Sequence, residues 1–410
     1  MKKHLILIMT ILLLSGCSLY NEYKMPKKVL LKIKNKTYEV YSKHKIKSLI
    51  KNKNVEILNS NETINTKKLG KQEVDITYKY KLLKYKYKVK YNVLDTIAPT
   101  IITSRLEYNT NIDEEIDFCS TNNIKFIDNY DRKVKCSIEG DYNISEPGTY
   151  NLKYVIKDNS NNTSIQNFTL NVIDSNSDYS YEEDDFFEEE KEKIEDPGFK
   201  FSDVKKAQKN KNTMIGIDIS RWQGDIDFNK VKNAGADFVI IRMAVSNGPN
   251  DKIGLDSYYT KNIVKAKKAN LKVGIYVYTS ASSEKEIIEQ AKFVRKKLNK
   301  VKLDFPIVYD FESWDEIQEY KLNKYDLMNY VNIFHKEVKK DGYDVMLYGS
   351  KLYLEKAWDN KKYPVWLAHY VPNYYDTSSY EGNYIMWQIC SDGLIDGIDG
   401  YVDIDIYYKK

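Results

Sequence analysis

Between Val74 and Val93 the chain alternates in steps of two. Val74, Ile76, Tyr78, Tyr80 and Leu82 share one parity, and Lys79 and Lys81 take the other. The phase slips at Leu82-Leu83, after which Leu83, Tyr85, Tyr87, Val89, Tyr91 and Val93 continue it. A period of two predicts strands with Tyr and Val facing a core and Lys facing out. The slip marks a bulge or a tight turn, and the pattern leaves both open. A second copy follows: Gly148-Thr149-Tyr150 with Leu152, Tyr154 and Ile156 parallels Gly70 with Val74, Ile76 and Tyr78. Each copy closes on apolar alternation and an Asp, Val93-Leu94-Asp95 and Val172-Ile173-Asp174. The cluster Asp158-Asn159-Ser160-Asn161-Asn162 predicts a turn between two strands. Two all-β modules are expected, residues 18–95 and 96–174, the second a sandwich.

From Met214 the pattern changes. Short apolar runs without alternation, such as Phe238-Val239-Ile240-Ile241, suit a buried parallel sheet. Strands are expected near 215–219, 237–242, 273–278, 305–310, 344–348, 364–367, 385–388 and 402–406. Helices are expected near 228–235, 256–269, 283–299, 323–341 and 351–357. Ser283 with Glu286 reads as a capping box and Asp256 as a further cap. Eight strands with helices among the first five predict an irregular α/β barrel, roughly five β/α units plus three strands.

Charge separates these parts. Residues 18–95 hold 20 Lys against 7 acids, a net +13. Attraction to anionic lipid or wall polymer is one reading of that charge. A solvated strand face that protects a sheet edge is the other, and it weighs slightly more. From Asp178 to Asp196 there are 11 acids against Lys191 and Lys193, a net −9. Such a run extends and stays solvated, so residues 175–212 read as a flexible linker. The 410 residues include 4 Cys and 4 His, with no ligand spacing for zinc and no Gly-rich phosphate loop. Cys119 and Cys136 could form a disulfide or stay reduced. Cys390 reads as a small buried apolar residue.

At the N-terminus Lys2, Lys3 and His4 precede an apolar run from Leu5 to Leu14, then Ser15, Gly16 and Cys17. That is a signal-peptide pattern, too short to span a bilayer comfortably. Leu14-Ser15-Gly16-Cys17 resembles the lipobox of bacterial lipoproteins, which implies lipidation at Cys17 and a tethered, extracytoplasmic chain facing the cell wall. The joint Asp95-Thr96-Ile97-Ala98-Pro99 resembles the start of immunoglobulin-like repeats in bacterial surface proteins, which implies stalk modules that act as spacers.

The candidate chemistry sits at strand ends. Asp218 ends Ile215-Gly216-Ile217-Asp218; Asp310 and Glu312 end Pro306-Ile307-Val308-Tyr309-Asp310-Phe311-Glu312; Asp403 lies in Tyr401-Val402-Asp403. Two residues apart on an extended chain, Asp310 and Glu312 point to one side. Close carboxylates raise each other's pKa, and a raised carboxyl can serve as general acid near neutral pH. Glycoside hydrolysis uses such a pair. Any one of these acids could be a cap or an ion-pair member. Four converging on one rim are harder to explain that way.

These residues resemble glycoside hydrolase family 25, the Chalaropsis-type lysozymes or N-acetylmuramidases. The likeness runs through Gly216-Ile217-Asp218-Ile219-Ser220, Trp222-Gln223-Gly224, Ala234-Gly235, Phe238 to Arg242, Asp310-Phe311-Glu312, Trp366-Leu367-Ala368, Trp387-Gln388 and Gly400-Tyr401-Val402-Asp403. It covers residues 214–410. The resemblance implies hydrolysis of the β-1,4 bond after N-acetylmuramic acid in peptidoglycan, without metal or cofactor. It assigns Glu312 as general acid and Asp310 to the sugar's acetamido group or a cationic intermediate. It places Asp218 and Asp403 in the same cleft. Trp366, Trp387, Tyr276, Tyr278, Tyr348 and Tyr370 are candidate stacking faces for sugar rings, with Gln388 as a further substrate contact. Barrel filling competes for the aromatics. Arg221 stands where many relatives have His, and Tyr276-Val277-Tyr278 lacks a His often found there. A catalytically inactive, wall-binding lipoprotein is the alternative, and the intact acids argue against it.

Overall fold

The computed structural model describes residues 31–34, 36–52, 55–80, 82–174, 198–249 and 251–409. Cys17 and the acidic run from Asp178 to Asp196 lie outside them. The chain divides into two compact units, Met1–Asp95 and Thr96–Lys410.

In the first unit, strands β1 (Thr37–Glu39), β2 (Glu56–Ile57), β3 (Gly70–Tyr80) and β4 (Leu83–Leu94) form one sheet in the order β1-β4-β3-β2. A short helix, α1 (Ile46–Leu49), contributes the buried Ile46 and Leu49. Tyr80 pairs with Leu83, so the phase slip is a tight turn. The alternation holds along both strands: Ile76, Tyr78, Val89, Tyr91 and Val93 are buried. Lys84, Lys86, Lys88 and Lys90 are exposed. Leu82 and Leu83 break the expected pattern, at 90% and 63% exposed, because the turn carries them beyond the core.

In the second unit, β5 (Thr100–Ser104) pairs with β7 (Ile124–Ile127). A separate four-stranded sheet runs β6 (Glu107–Asn111), β10 (Thr163–Ile173), β9 (Gly148–Lys157) and β8 (Lys135–Glu139). Both sheets contribute to one core around Tyr108, Ile124, Phe126, Tyr154 and Phe168. Cys119 and Cys136 are joined by a disulfide across 17 residues.

The barrel opens with helix α2 (Phe201–Gln208), which buries Phe201 and Val204 in the main core. Lys200 bridges to Leu394. The linker expected through residue 212 therefore ends earlier, since these apolar side chains have a core to join. The barrel strands are β11 (Thr213–Ile219), β12 (Phe238–Val245), β14 (Lys272–Tyr278), β15 (Ile307–Asp310), β16 (Val345–Ser350), β17 (Val365–Ala368), β18 (Met386–Gly393) and β19 (Val402–Tyr408). A short β13 (Gly254–Leu255) pairs with the end of β12. β11 bonds to both β12 and β19, which closes the ring of eight. All neighbours run parallel from β11 through β12 to β18, and β19 runs antiparallel between β18 and β11.

Helices follow only the first five strands: α3 (Phe228–Asn233), α4 (Tyr259–Lys268), α5 (Glu284–Leu298), α6 (Lys324–Val338) and α7 (Lys351–Lys356). Ser283 caps α5 by accepting from Glu286 N at 3.3 Å. Asp256 does not cap α4, which starts after Tyr258; its carboxylate instead receives Arg242 Nη2 at 2.8 Å.

Parity along each strand separates two layers. Ile215, Ile217, Ile307, Tyr309, Leu367 and Trp387 join the outer core beneath the helices. Met214, Phe238, Ile240, Val308, Met346, Tyr348, Trp366 and Met386 fill the interior. Gly216 has a packing reason: a Cβ there would lie 2.6 Å from the Phe238 ring. Asp218 shares inward parity with Met214, and Asp310 with Val308.

The sandwich is not held away from the barrel as a spacer would be. Ile102 and Ile127 are part of the barrel's own apolar core. Arg132 Nε and Nη2 donate to the two oxygens of Asp326, at 2.7 Å each.

Candidate active site

The acids collect at one end of the barrel. Asp218 and Asp310 lie at the C-terminal ends of β11 and β15. Asp403 is the second residue of β19, which runs the other way, so it arrives at the same end and pairs in register with Asp218. Asp310 is 4% exposed and Asp218 5%. Glu312 lies just past β15, crowded by protein yet open to solvent on the cleft side. The intervening Phe311 points into the apolar core, as the two-residue spacing requires.

Burial and mutual repulsion set the charge state. Burial lifts Asp310 well above the usual carboxylate range, and the neighbouring Glu312 and Asp218 raise it further, while Arg242 opposes. Burial also lifts Glu312, although its hydrogen bond with Asp310 pulls the other way. Asp403 is pushed up to about 9 by burial, then by Asp218. Asp218 is raised by burial, then by Asp405. Each of these carboxyls is thus harder to ionise than in water, burial being the first cause for all of them. Asp310 Oδ1 is buried and has no hydrogen-bond partner among the described residues.

A polar network fixes Asp218. Gln388 Nε2 donates to Asp218 Oδ2 at 2.8 Å. Gln388 Oε1 in turn accepts from Tyr348 Oη at 2.9 Å and Tyr370 Oη at 3.2 Å. Gln388 is buried, so it serves Asp218 rather than standing open to a substrate. Asp405, absent from the sequence expectations, is fully buried beside Asp218 and accepts from Trp366 Nε1 at 2.9 Å. Its signal was available: Asp403 and Asp405 share strand parity. Arg242, held by Asp256, is a buried cation that opposes the rise of Asp310.

The aromatics divide. Trp366 and Trp387 are 2% and 1% exposed and cannot stack on a sugar. Trp366 fills the barrel interior; Trp387 faces the outer layer, where its Nε1 donates to His369 O. Tyr348 is also buried. Tyr276 sits among Asp218, Arg242, Asp310 and Asp403. Tyr278 lies beside Asp310 and Glu312 and is pushed up to about 12 by burial. Tyr370 is exposed at the rim and close to Asp403, Asp218 and Glu312. The open aromatic missed by the sequence reading is Trp222, 73% exposed, with the Arg221 guanidinium 4.6 Å from its ring centroid. Its place directly after the Asp218 strand was the signal. A cavity of about 450 Å³ beside Glu312 is lined by Tyr348, Lys351, Glu355, His369 and Tyr370.

Away from the barrel, carboxylate oxygens of Asp128, Asp131 and Asp158 lie within 4.8 Å of one another. Turn hydrogen bonds engage each: Asp128 accepts from Tyr130 N and Asp131 N, Asp131 from Asn159, and Asp158 from Asn162.

Comparisons with known proteins bear on residues 217–398, which match the model for glycosyl hydrolases family 25. The uncharacterized protein YegX of Escherichia coli (strain K12) is 28% identical over 198 residues, 48% of this chain and 70% of that protein. Lysozyme M1 of Streptomyces globisporus is 26% identical over 197 residues, 46% of this chain and 65% of its own. A family 25 glycosyl hydrolase structure from Bacillus anthracis aligns with a TM-score of 0.41 at 21% identity, over 49% of this chain and 92% of that one. The C-terminal part of this chain is a family 25 glycosyl hydrolase domain, which makes the protein a glycoside hydrolase of the lysozyme type.

Proposed function

We propose that the enzyme is an N-acetylmuramidase that hydrolyses the β-1,4 bond between N-acetylmuramic acid and N-acetylglucosamine in peptidoglycan. Glu312 protonates the leaving oxygen. Its raised pKa keeps the proton available, and its openness to the cleft lets a glycan reach it. Asp310 orients the 2-acetamido group, whose carbonyl oxygen attacks the anomeric carbon as the bond to the protonated leaving oxygen breaks. Water, deprotonated by Glu312, then adds at that carbon, and the ring closed by the attack reopens to the acetamide. The observation that carries this reading is the buried Asp310 Oδ1, which lacks a protein partner and lies next to the acid. An amide N–H would satisfy it. The closeness of the two carboxyls supports this role, since a separate water-activating pair needs more room. Asp218 and Asp403, both raised by burial, tune Glu312, and the part-exposed Asp403 holds sugar hydroxyls. Trp222 and Tyr370 offer open rings at the rim.

Digestion of purified peptidoglycan, followed by borohydride reduction and mass analysis, tests the bond assignment. Fragments ending in reduced N-acetylmuramic acid support it. Fragments ending in reduced N-acetylglucosamine would replace it with a glucosaminidase reading.

We place the enzyme outside the cytoplasm, tethered through a lipid on Cys17 and facing the wall. The lysozyme relatives and the N-terminal pattern support that location. Among the described residues no helix is long and apolar enough to cross a membrane. The first unit's hairpin supports contact with anionic lipid rather than wall polymer. Its tip presents Leu82 and Leu83 to solvent beside Lys84 and Lys86. Leucines gain from an acyl boundary and gain nothing from a polyanion.

A further inference from the structure

The segment that follows Glu312 is held from two sides. On the barrel side, Ser313 Oγ donates to Ser280 Oγ at 2.8 Å. Trp314 stacks on Tyr353 of α7, with centroids 4.0 Å apart and planes at 7°. The other side belongs to the β-sandwich. Lys125 Nζ lies 2.7 Å from Asp315 Oδ1, three residues past Glu312. Gln318 Nε2 donates to Ile124 O at 3.0 Å. The segment ends at Asn323, which caps α6 by accepting from Asp326 N at 2.8 Å and donates its amide to Tyr130 O. Lys324 N donates to Asp128 O at 2.8 Å, and Lys324 Nζ to Thr100 Oγ1 at 2.8 Å. The Arg132 fork closes over Asp326, whose side chain is 4% exposed.

We propose that residues 96–174 are a working part of the active site: Lys125 and Arg132 are positioning residues that hold the 313–323 segment and, through it, the Glu312 carboxyl. The argument is geometric. Glu312 is open to the cleft and lies past the end of its strand, where its carboxyl bonds to Asp310 but its backbone has no ladder partner in β15. Its placement depends on the chain that leaves it. That chain is tied to the sandwich at Asp315, Gln318, Asn323 and Asp326, four points within about three turns' length of chain. Ile102 and Ile127 add an apolar seat that excludes water between the two layers. A general acid must stay within hydrogen-bond reach of the leaving oxygen, and a displacement of about 1 Å can cost about 10²-fold in rate.

This inference rests on Glu312 being the general acid, and the test separates the two. In the full-length chain, Lys125→Glu and Arg132→Ala are expected to lower kcat on solubilised peptidoglycan by about ten-fold each, with KM little changed. The exchanged pair Lys125→Glu with Asp315→Lys should recover most of the loss, whereas a purely structural lesion would not be rescued. Amide hydrogen exchange across residues 312–323 reads the same hold without substrate. It should quicken in Arg132→Ala while the barrel strands keep wild-type protection. Wild-type kcat together with unchanged exchange in both single variants would overturn the proposal. An inactive wild type would overturn the muramidase reading alone, and the exchange experiment would still decide this one.

Discussion

At the residue scale the site is governed by protons. In the proposed role Glu312 must hold one to act, and burial raises it above an ordinary glutamate. Cleavage should therefore persist toward neutral pH and fall as pH rises through that raised value, which a pH profile of kcat/KM will read. The same burial bears on stability, with a definite sign. Asp218, Asp310, Asp403 and Asp405 all have folded pKa values above their unfolded ones. The native state then binds more protons than the unfolded chain once pH rises above the ordinary carboxylate range of about 4. The contribution to stability is full below the unfolded values and is lost as pH rises through the folded ones. Tm should thus fall from pH 5 to pH 8 as these groups are forced to ionise. Asp405→Asn should raise Tm at pH 8 and flatten that slope. Its side chain can still accept from Trp366 and can donate to Asp218, with no charge to bury. A Tm at pH 8 below wild type would contradict this account of Asp405.

The acids were legible in the sequence because strand parity and strand ends locate them without any knowledge of packing. The aromatics were not, for the same reason seen from the other side. Trp366 and Trp387 occupy adjacent strands at neighbouring levels, yet one faces the interior and the other the helices. A Trp in a short buried run satisfies both layers equally well. Only the hydrogen bonds of the indoles, to Asp405 and to His369 O, show where each points. Gln388 was read as a substrate contact because it adjoins a Trp in a motif. Its amide is instead engaged by Asp218 and two tyrosines.

At the element scale, the barrel's strands and helices emerged from unalternating apolar runs and capping signals, with ends off by a few residues. The first helix of the barrel, Phe201–Gln208, was hidden because it follows an acidic stretch and is itself polar; only Phe201 and Val204 tie it down. The sandwich carries a disulfide that closes a loop of 17 residues. Chain-entropy arguments put such a crosslink at about 3 kcal/mol. Cys119→Ser with Cys136→Ser should lower the sandwich's unfolding midpoint accordingly, measured by denaturant titration. Because this module seats on the barrel, the loss should also register in amide exchange across residues 312–323. A stable barrel with unperturbed exchange there would mean that the two layers unfold independently.

At the scale of the whole molecule, the proposed lipid tether and hairpin contact would set where the enzyme works. The basic alternating strands were legible from period two alone, but the exposure of Leu82 and Leu83 was not, because parity cannot tell a strand from its turn. Sedimentation with vesicles tests the proposed contact, using a Cys17→Ala chain so that no lipid anchor contributes. Binding to vesicles containing anionic lipid, lost in Leu82→Ser with Leu83→Ser, is expected. Equal binding by both chains would leave the lysines as the sole attraction. In cells, Cys17→Ala should release the enzyme from the membrane fraction.

The central claim is that the carboxyl pair at the end of β15 cleaves glycan, with Glu312 as its acid. The most direct test is the rate of glycan cleavage by Glu312→Gln against wild type on purified peptidoglycan at mildly acidic pH. The two chains should be matched for Tm and glycan binding. The amide keeps the shape and removes the transferable proton. The rate should fall by about 10²- to 10⁴-fold with binding retained. A Glu312→Gln enzyme that cleaves at the wild-type rate would contradict the account.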